Sequence, residues 1–151
     1  MSSTGKRTDP IYQAQAILAI RDHSVAEVTL KLKKKGFAHP DITSALAWLE
    51  QHKLLNDQQF AERYVESLVR SKPVGPMWLK AKLRQKGIAP DIISVTLAKH
   101  YSSDRERELA KEATAAFIRR SPDPVRLYRF LLARGFSSDI IKEQQQIITE
   151  E

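Results

Sequence analysis

The sequence predicts an all-α protein of three tandem three-helix repeats that form an elongated, curved right- or left-handed array. A motif of leucine, three residues, glycine and an apolar residue occurs three times at nearly equal spacing. Apolar residues between these motifs recur at helical intervals, and the Val/Ile/Thr-rich alternation of a half-buried strand is missing. A unit of about 45 residues holds little core of its own, so we expect neighbouring repeats to share stability.

Each motif glycine is predicted to end a helix. A glycine adopts the left-handed conformation cheaply, and the apolar residues on either side of it then make the contact that accompanies a Schellman ending. We therefore expect the leucine and the final apolar residue of each motif to touch. The glycines are Gly36, Gly87 and Gly135, within motifs that span residues 32–37, 83–88 and 131–136.

We call these three predicted helix endings the glycine stops. Helix starts are predicted between them. Ser24 with Glu27 forms a capping box, in which the serine hydroxyl and the glutamate carboxylate each accept a backbone N–H. Proline suits the first helical position, where its missing N–H costs nothing. The other predicted starts are Asn56 with Gln59, Ser103 with Glu106, Pro40, Pro90, Ser121-Pro122 and Ser137.

These signals divide the chain into four segments and about nine helices. The predicted segments are a disordered basic arm (1–10) and three helical repeats (11–53, 54–101 and 102–151) in one continuous repeat domain. The residues expected to supply the helical apolar stripes are Ile17, Leu18, Ile20, Val28, Leu32, Ile42, Leu46, Leu49, Phe60, Tyr64, Leu68, Leu79, Leu83, Ile140 and Ile147.

Composition bounds the class of protein. The chain has 151 residues, 42% of them hydrophobic, which is too many for intrinsic disorder. Its formal charge of +7 favours polyanionic partners. The first ten residues lack the apolar stretch of a secretory signal, and the longest apolar run (16–20) is too short to span a bilayer. We expect a cytoplasmic monomer with no membrane association.

The sequence offers no constellation typical of catalysis. It has no cysteine, which excludes disulfides and thiolate metal sites. Its four histidines lie on separate predicted elements, and no phosphate-binding loop or nucleophile motif is present. Glu62 and Glu66 stand four residues apart, a spacing that we interpret as a solvated helix face. We therefore expect a binding protein with no catalytic residue, no metal site and no cofactor.

Basic residues are the candidate functional residues, because they concentrate in the middle repeat and early in the third. Lys80 and Arg84 are expected on the exposed side of a helix whose buried stripe includes Leu79 and Leu83. Trp78 falls off that stripe, so it either packs against the adjacent repeat or anchors an interface. The predicted partner-binding or nucleic-acid-binding residues are Arg63, Arg70, Lys72, Lys80, Lys82, Arg84, Lys86, Arg119, Arg120, Arg126, Arg129 and Arg134.

Several stretches resemble the RecX family of bacterial regulators of the RecA recombinase. They are residues 19–28 (AIRDHSVAEV), 54–65 (LLNDQQFAERYV), 75–76 (GP), 83–88 (LRQKGI) and 129–136 (RFLLARGF), in family order. The resemblance extends over nearly the whole chain, from about residue 14 to about residue 148. Each piece is short, but the combination is specific.

The resemblance implies three three-helix repeats, no enzymatic activity and binding in the groove of a RecA filament on single-stranded DNA. It further implies restraint of RecA's ATP hydrolysis, strand exchange and co-protease activity, which damps recombination and the SOS response. Direct DNA contact within that complex is left open. The alternative hypothesis is a DNA-binding protein of helix-turn-helix type, which reads duplex sequence through a recognition helix and is normally a symmetric dimer.

Overall fold

The structure, a computed structural model, describes residues 9–150, which form nine α-helices and no strand. The all-α prediction, with three helices for each glycine stop, is confirmed. Residues 1–8 of the predicted arm and Glu151 lie outside the described residues. The helices are α1 (Pro10–Ile20), α2 (Val25–Lys34), α3 (His39–Gln51), α4 (Asp57–Ser71), α5 (Pro76–Gln85), α6 (Pro90–His100), α7 (Ser103–Ile118), α8 (Pro124–Ala133) and α9 (Ser138–Glu150).

The chain forms two compact units. The described part of the first unit consists of residues 9–60 together with 86–89. Its core is a cluster of buried aliphatic side chains from α1, α2 and α3 and the residues that follow them. Phe37 packs against this cluster, next to Leu32 of the same helix ending. The buried members are Ala14, Ile17, Val28, Leu32, Ile42, Leu49 and Leu55.

The described part of the second unit consists of residues 61–85 and 90–150. Its main apolar cluster comes from α7, α8 and α9, and Phe117 and Phe130 stack beside it with ring centroids 4.8 Å apart. The side chains of Leu79 and Leu83 on α5 are also fully buried. The buried members of the main cluster are Ala110, Ala113, Leu127, Leu131, Phe136, Ile140 and Ile141.

The three glycine stops are confirmed. Gly36, Gly87 and Gly135 have φ of +93°, +77° and +86°. At the first stop, Phe37 N donates to Leu32 O at 3.3 Å, which is the long hydrogen bond of a Schellman ending. The third stop has the same bond, from Phe136 N to Leu131 O at 3.1 Å.

The helix starts confirm most of the predicted caps and correct two of them. Ser24 and Glu27 form the predicted capping box, and Asn56 Oδ1 accepts the N–H of Gln59. α7 is capped by Ser102, one residue earlier than predicted, because its hydroxyl accepts the N–H of Arg105. α8 begins at Pro124, with Asp123 rather than Ser121 as its N-cap.

The sequence predicts that Glu106 forms a capping box with Ser103. In the structure, its carboxylate instead binds Ser137 at the start of α9. Its Oε1 accepts hydrogen bonds from both the backbone N–H and the hydroxyl of Ser137, at 2.8 and 2.7 Å. The carboxylate is buried, so these two donors replace the water that it has lost.

Two residues predicted to belong to the apolar stripes are exposed. Ile20 is 83% exposed, because on a helix it lies on the side opposite Leu18 and both cannot face one core. Ile147 is 43% exposed, because the buried stripe of α9 runs instead through Ile141 and Gln144 towards Ile148.

Candidate binding surface

Helix α5 has one buried side and one basic side. Leu79 and Leu83 are fully buried, whereas Lys80 is half-buried and Arg84 is exposed one turn later. Within residues 9–150, neither Lys80 nor Arg84 forms a hydrogen bond or an ion pair through its side chain. Two neighbouring cations on this side of α5 are thus available to an external anion or acidic surface.

Trp78 lies next to this basic side, and two lysine ammonium groups approach it. Nζ of Lys72 lies 4.6 Å from the centroid of the Trp78 ring, and Nζ of Lys82 lies 5.0 Å from it. Both distances are within the range of a cation–π interaction. The indole is half-buried, so part of an aromatic surface remains exposed between positive charges.

The start of α5 is held against the end of α8 by backbone hydrogen bonds. Gly75 N donates to Arg134 O at 2.8 Å, and Met77 N donates to Gly135 O at 3.0 Å. These N–H groups have no partner within their own helix, and the accepting carbonyls lie at a helix C-terminus, so the two helix dipoles complement each other. The backbones are so close that a Cβ on Gly75 would lie 2.3 Å from the backbone of Gly135.

This backbone contact also brings the basic residue Arg134 close to the start of α5. The guanidinium of Arg134 donates to Pro73 O at 3.3 Å, and its Cζ lies 4.8 Å from the centroid of the Phe130 ring. The backbone of Trp78 therefore packs against the third predicted repeat. Its ring lies beside the ammonium groups of Lys72 and Lys82. We call Lys72, Trp78, Lys82 and Arg134 the Trp78 cluster.

Other predicted site residues of the second unit lie on α4, on α8 and just after α7. The Arg70 side chain donates to Glu66 O of its own helix at 3.4 Å, and Arg126 Nε lies 3.8 Å from a carboxylate oxygen of Asp123. The others are exposed on their helices or at their ends: Arg63 on α4, Arg119 and Arg120 after α7, and Arg129 on α8.

Lys86 belongs to the first unit and contacts a buried network there. Its Nζ lies 3.2 Å from Oε2 of Glu27, whose carboxylate also pairs with Arg21 at 2.9 Å. Burial alone would raise the pKa of Glu27, but hydrogen bonds from Arg21, the Ser24 backbone and Lys86 outweigh it and lower that pKa to about 2. The ammonium of Lys86 thus takes part in a structural ion pair.

The interpretation of Glu62 and Glu66 as a solvated face is corrected. Both side chains are half-buried, and Glu62 lies 3.6 Å from Lys99 while Glu66 lies 2.9 Å from Arg105. The hydrogen bond from Arg105 lowers the pKa of Glu66 despite its partial burial. Across residues 9–150 there is no group of three or more His, Asp or Glu side chains that could hold a metal ion.

All four members of the Trp78 cluster are candidates in the sequence, but the sequence does not predict that they come together. The spacing of four residues between Trp78 and Lys82, and between Phe130 and Arg134, was the available signal for two of the contacts. Lys72 precedes the link between α4 and α5, and Arg134 comes from α8. Their approach therefore depends on tertiary packing.

Comparison with known proteins identifies the family. Residues 13–49 match the model of the first three-helix domain of RecX, and residues 56–97 match that of the second. A regulatory protein RecX of Chlorobaculum tepidum is 36% identical over 97% of this chain and 92% of its own length. This chain belongs to the RecX family.

Further RecX proteins agree with this assignment. A regulatory protein RecX of Legionella pneumophila is 32% identical over 86% of this chain and 88% of its own. The crystal structure of RecX from Lactobacillus salivarius superposes with a TM-score of 0.83 at 24% identity, covering 98% of this chain and 99% of that one. The family is one of regulatory proteins. No described helix is long and apolar enough to cross a membrane.

Proposed function

We propose that this RecX-family protein binds the RecA nucleoprotein filament and inhibits its ATPase, strand-exchange and co-protease activities, acting without catalysis of its own. The observation that carries the proposal is the basic side of α5 with the adjacent Trp78 cluster. Here cations that have no acidic partner in the described chain lie beside an aromatic surface. This combination is suited to a filament that contains nucleic acid.

Lys80 and Arg84 provide the sharpest test, because both can change without opening the core. Reversing both to glutamate replaces two attractions by two repulsions, and it should weaken filament binding by several kcal/mol at low salt. Folding should stay nearly intact, since surface changes usually cost within about 0.5 kcal/mol each. The measurements are co-sedimentation with RecA filaments on single-stranded DNA, held by a slowly hydrolysed nucleotide, and inhibition of RecA's ATP hydrolysis.

The matched control is the pair Lys111→Glu and Lys142→Glu, which makes the same change in net charge at exposed positions of α7 and α9. This control should retain binding. Equal losses in both double variants would mean that net charge, and not the α5 surface, governs binding. Tight binding to random duplex DNA without RecA would instead favour the alternative of a direct DNA-binding protein.

A further inference from the structure

At two of the three glycine stops, the start of another helix packs directly against the glycine. In the first unit, the start of α2 lies on the stop at Gly87, where an added Cβ would lie 2.3 Å from the Cβ of Ala26. The hydroxyl of Ser24, the N-cap of α2, donates to Lys86 O at 2.5 Å. Glu27, three residues after the cap, forms its ion pair with the Lys86 ammonium.

The second unit repeats this arrangement with other residues. The start of α5 lies on the stop at Gly135, where an added Cβ would lie 2.2 Å from Trp78 N. The carbonyl of the residue before the glycine again accepts a hydrogen bond from the arriving helix start, here from Gly75 N to Arg134 O. A helix start on a glycine stop is thus a packing unit that this chain uses twice.

The glycine stop at Gly36 has the same backbone geometry, but no helix start from the described residues packs against it. An added Cβ at Gly36 would meet nothing within 4 Å. Lys35 O holds the position of Lys86 O and Arg134 O, and no hydrogen bond from residues 9–150 reaches it. Lys33, Lys34 and Lys35 surround this end and make no ion pair within the described chain.

We propose that the Gly36 stop is a docking site for the first turn of a helix from another protein. This partner helix has a hydroxyl-bearing N-cap, a small residue two positions later and a carboxylate three positions after the cap, as α2 has in Ser24, Ala26 and Glu27. Its hydroxyl donates to Lys35 O, its small side chain lies on Gly36, and its carboxylate pairs with the Lys35 ammonium. The proposal rests on residues of the first unit and does not depend on the proposed function.

Charge decides between this partner and two other occupants. In a second copy of the chain, the starts of α2 and α5 already lie on that copy's own glycine stops, which leaves the start of α8. There Arg126 is the third residue after the N-cap, as Glu27 is in α2, and it would face Lys35 with like charge. A nucleic-acid phosphate would meet the carbonyl oxygens of a helix C-terminus, which disfavour an anion. An acidic helix start satisfies both the carbonyls and the lysines.

A peptide copying residues 22–34, acetylated and amidated at its ends, tests the proposal. Titrated to millimolar concentration into ¹⁵N-labelled full-length protein, it should shift the amide signals of Gly36 and Phe37 in a saturable manner. The Gly87 amide should not move, because its place is occupied from within the chain. A peptide with Glu27→Lys should lose most of the shift.

Two protein variants complete the test. Gly36→Asn should abolish the shift, since asparagine tolerates the left-handed conformation but places a side chain where the partner would lie. Lys35→Glu should lose response to the first peptide and gain response to the Glu27→Lys peptide. The proposal is overturned if Gly36 does not respond, if both peptides act equally on the wild type, or if Gly36 shifts with protein concentration alone.

Discussion

At the residue scale, the glycine stops differ in how many constraints they meet. All three have positive φ, which favours glycine, but only Gly87 and Gly135 also lack space for a Cβ. At Gly87 the obstacle is the side chain of Ala26, whereas at Gly36 the space is open. The same motif residue is therefore needed for conformation at one position and for conformation and packing at another.

Asparagine substitution should separate these two constraints, because asparagine accepts the left-handed conformation. Gly87→Asn should cost roughly 1 to 3 kcal/mol through overpacking against Ala26. Gly36→Asn should cost about 1 kcal/mol or less, as expected at an open surface position. Denaturant unfolding of both variants measures the difference. Equal costs would show that the close approach at Gly87 relaxes without loss.

The network around Ser24 should make stability depend on pH. The pKa of Glu27 is about 2 in the fold against an ordinary 4.5, so its contribution is present above pH 4.5 and is lost towards pH 2. Burial lowers the pKa of His23 from 6.5, so neutral His23 also favours folding, and this contribution is lost as the pH falls through its folded pKa. Asp57, whose pKa is raised by burial, acts in the opposite sense.

We expect the melting temperature to fall on acidification, first below pH 6.5 and again below pH 4.5. Glu27→Gln should lower stability at neutral pH by at most about 3 kcal/mol and should remove most of the second fall. Thermal unfolding from pH 7 to pH 3 measures both. If the Glu27→Gln variant still shows the full fall in melting temperature below pH 4.5, other carboxylates cause that fall.

At the scale of elements, α5 combines packing and exposure through its helical period. Its leucines fill the core of the second unit, while Lys80 and Arg84 occupy another side. Trp78 lies at the start of the helix, where backbone hydrogen bonds to the end of α8 fix its position. A rigidly placed, half-buried aromatic residue loses little entropy on binding, which suits an interface anchor.

Fluorescence should report whether the Trp78 ring enters the interface. In a Trp48→Phe background Trp78 is the remaining tryptophan, and filament binding should change its emission maximum or intensity as the exposed part of the ring loses water. Trp48 stacks on His52 in the first unit, so Trp78→Phe, which leaves Trp48 alone, is the control. Unchanged Trp78 emission during binding demonstrated by co-sedimentation would place the ring outside the contact.

At the scale of the whole molecule, the net charge of +7 predicts salt-sensitive association with a polyanionic filament. Affinity should fall as salt rises, because screening weakens the attraction of each exposed cation. The Lys80→Glu, Arg84→Glu double variant should show a shallower fall, so that the two proteins converge at high salt. Parallel salt curves for the two would indicate that this pair makes no electrostatic contact with the filament.

The sequence by itself determined the helices and the family. The glycine stops, the capping box of Ser24 and the apolar periodicity are interactions among residues within a few positions, so they can be read without knowing the fold. Even the misplaced starts of α7 and α8 were wrong by only a few residues, since neighbouring serine and aspartate caps compete locally.

Only the tertiary structure decided which distant groups meet. Packing brings Lys72 and Arg134 to the Trp78 cluster, ties Lys86 to Glu27, and fills the stops at Gly87 and Gly135 while Gly36 stays open. These contacts join residues far apart in the chain. Their partners are chosen by how whole helices pack, a property that no local spacing encodes.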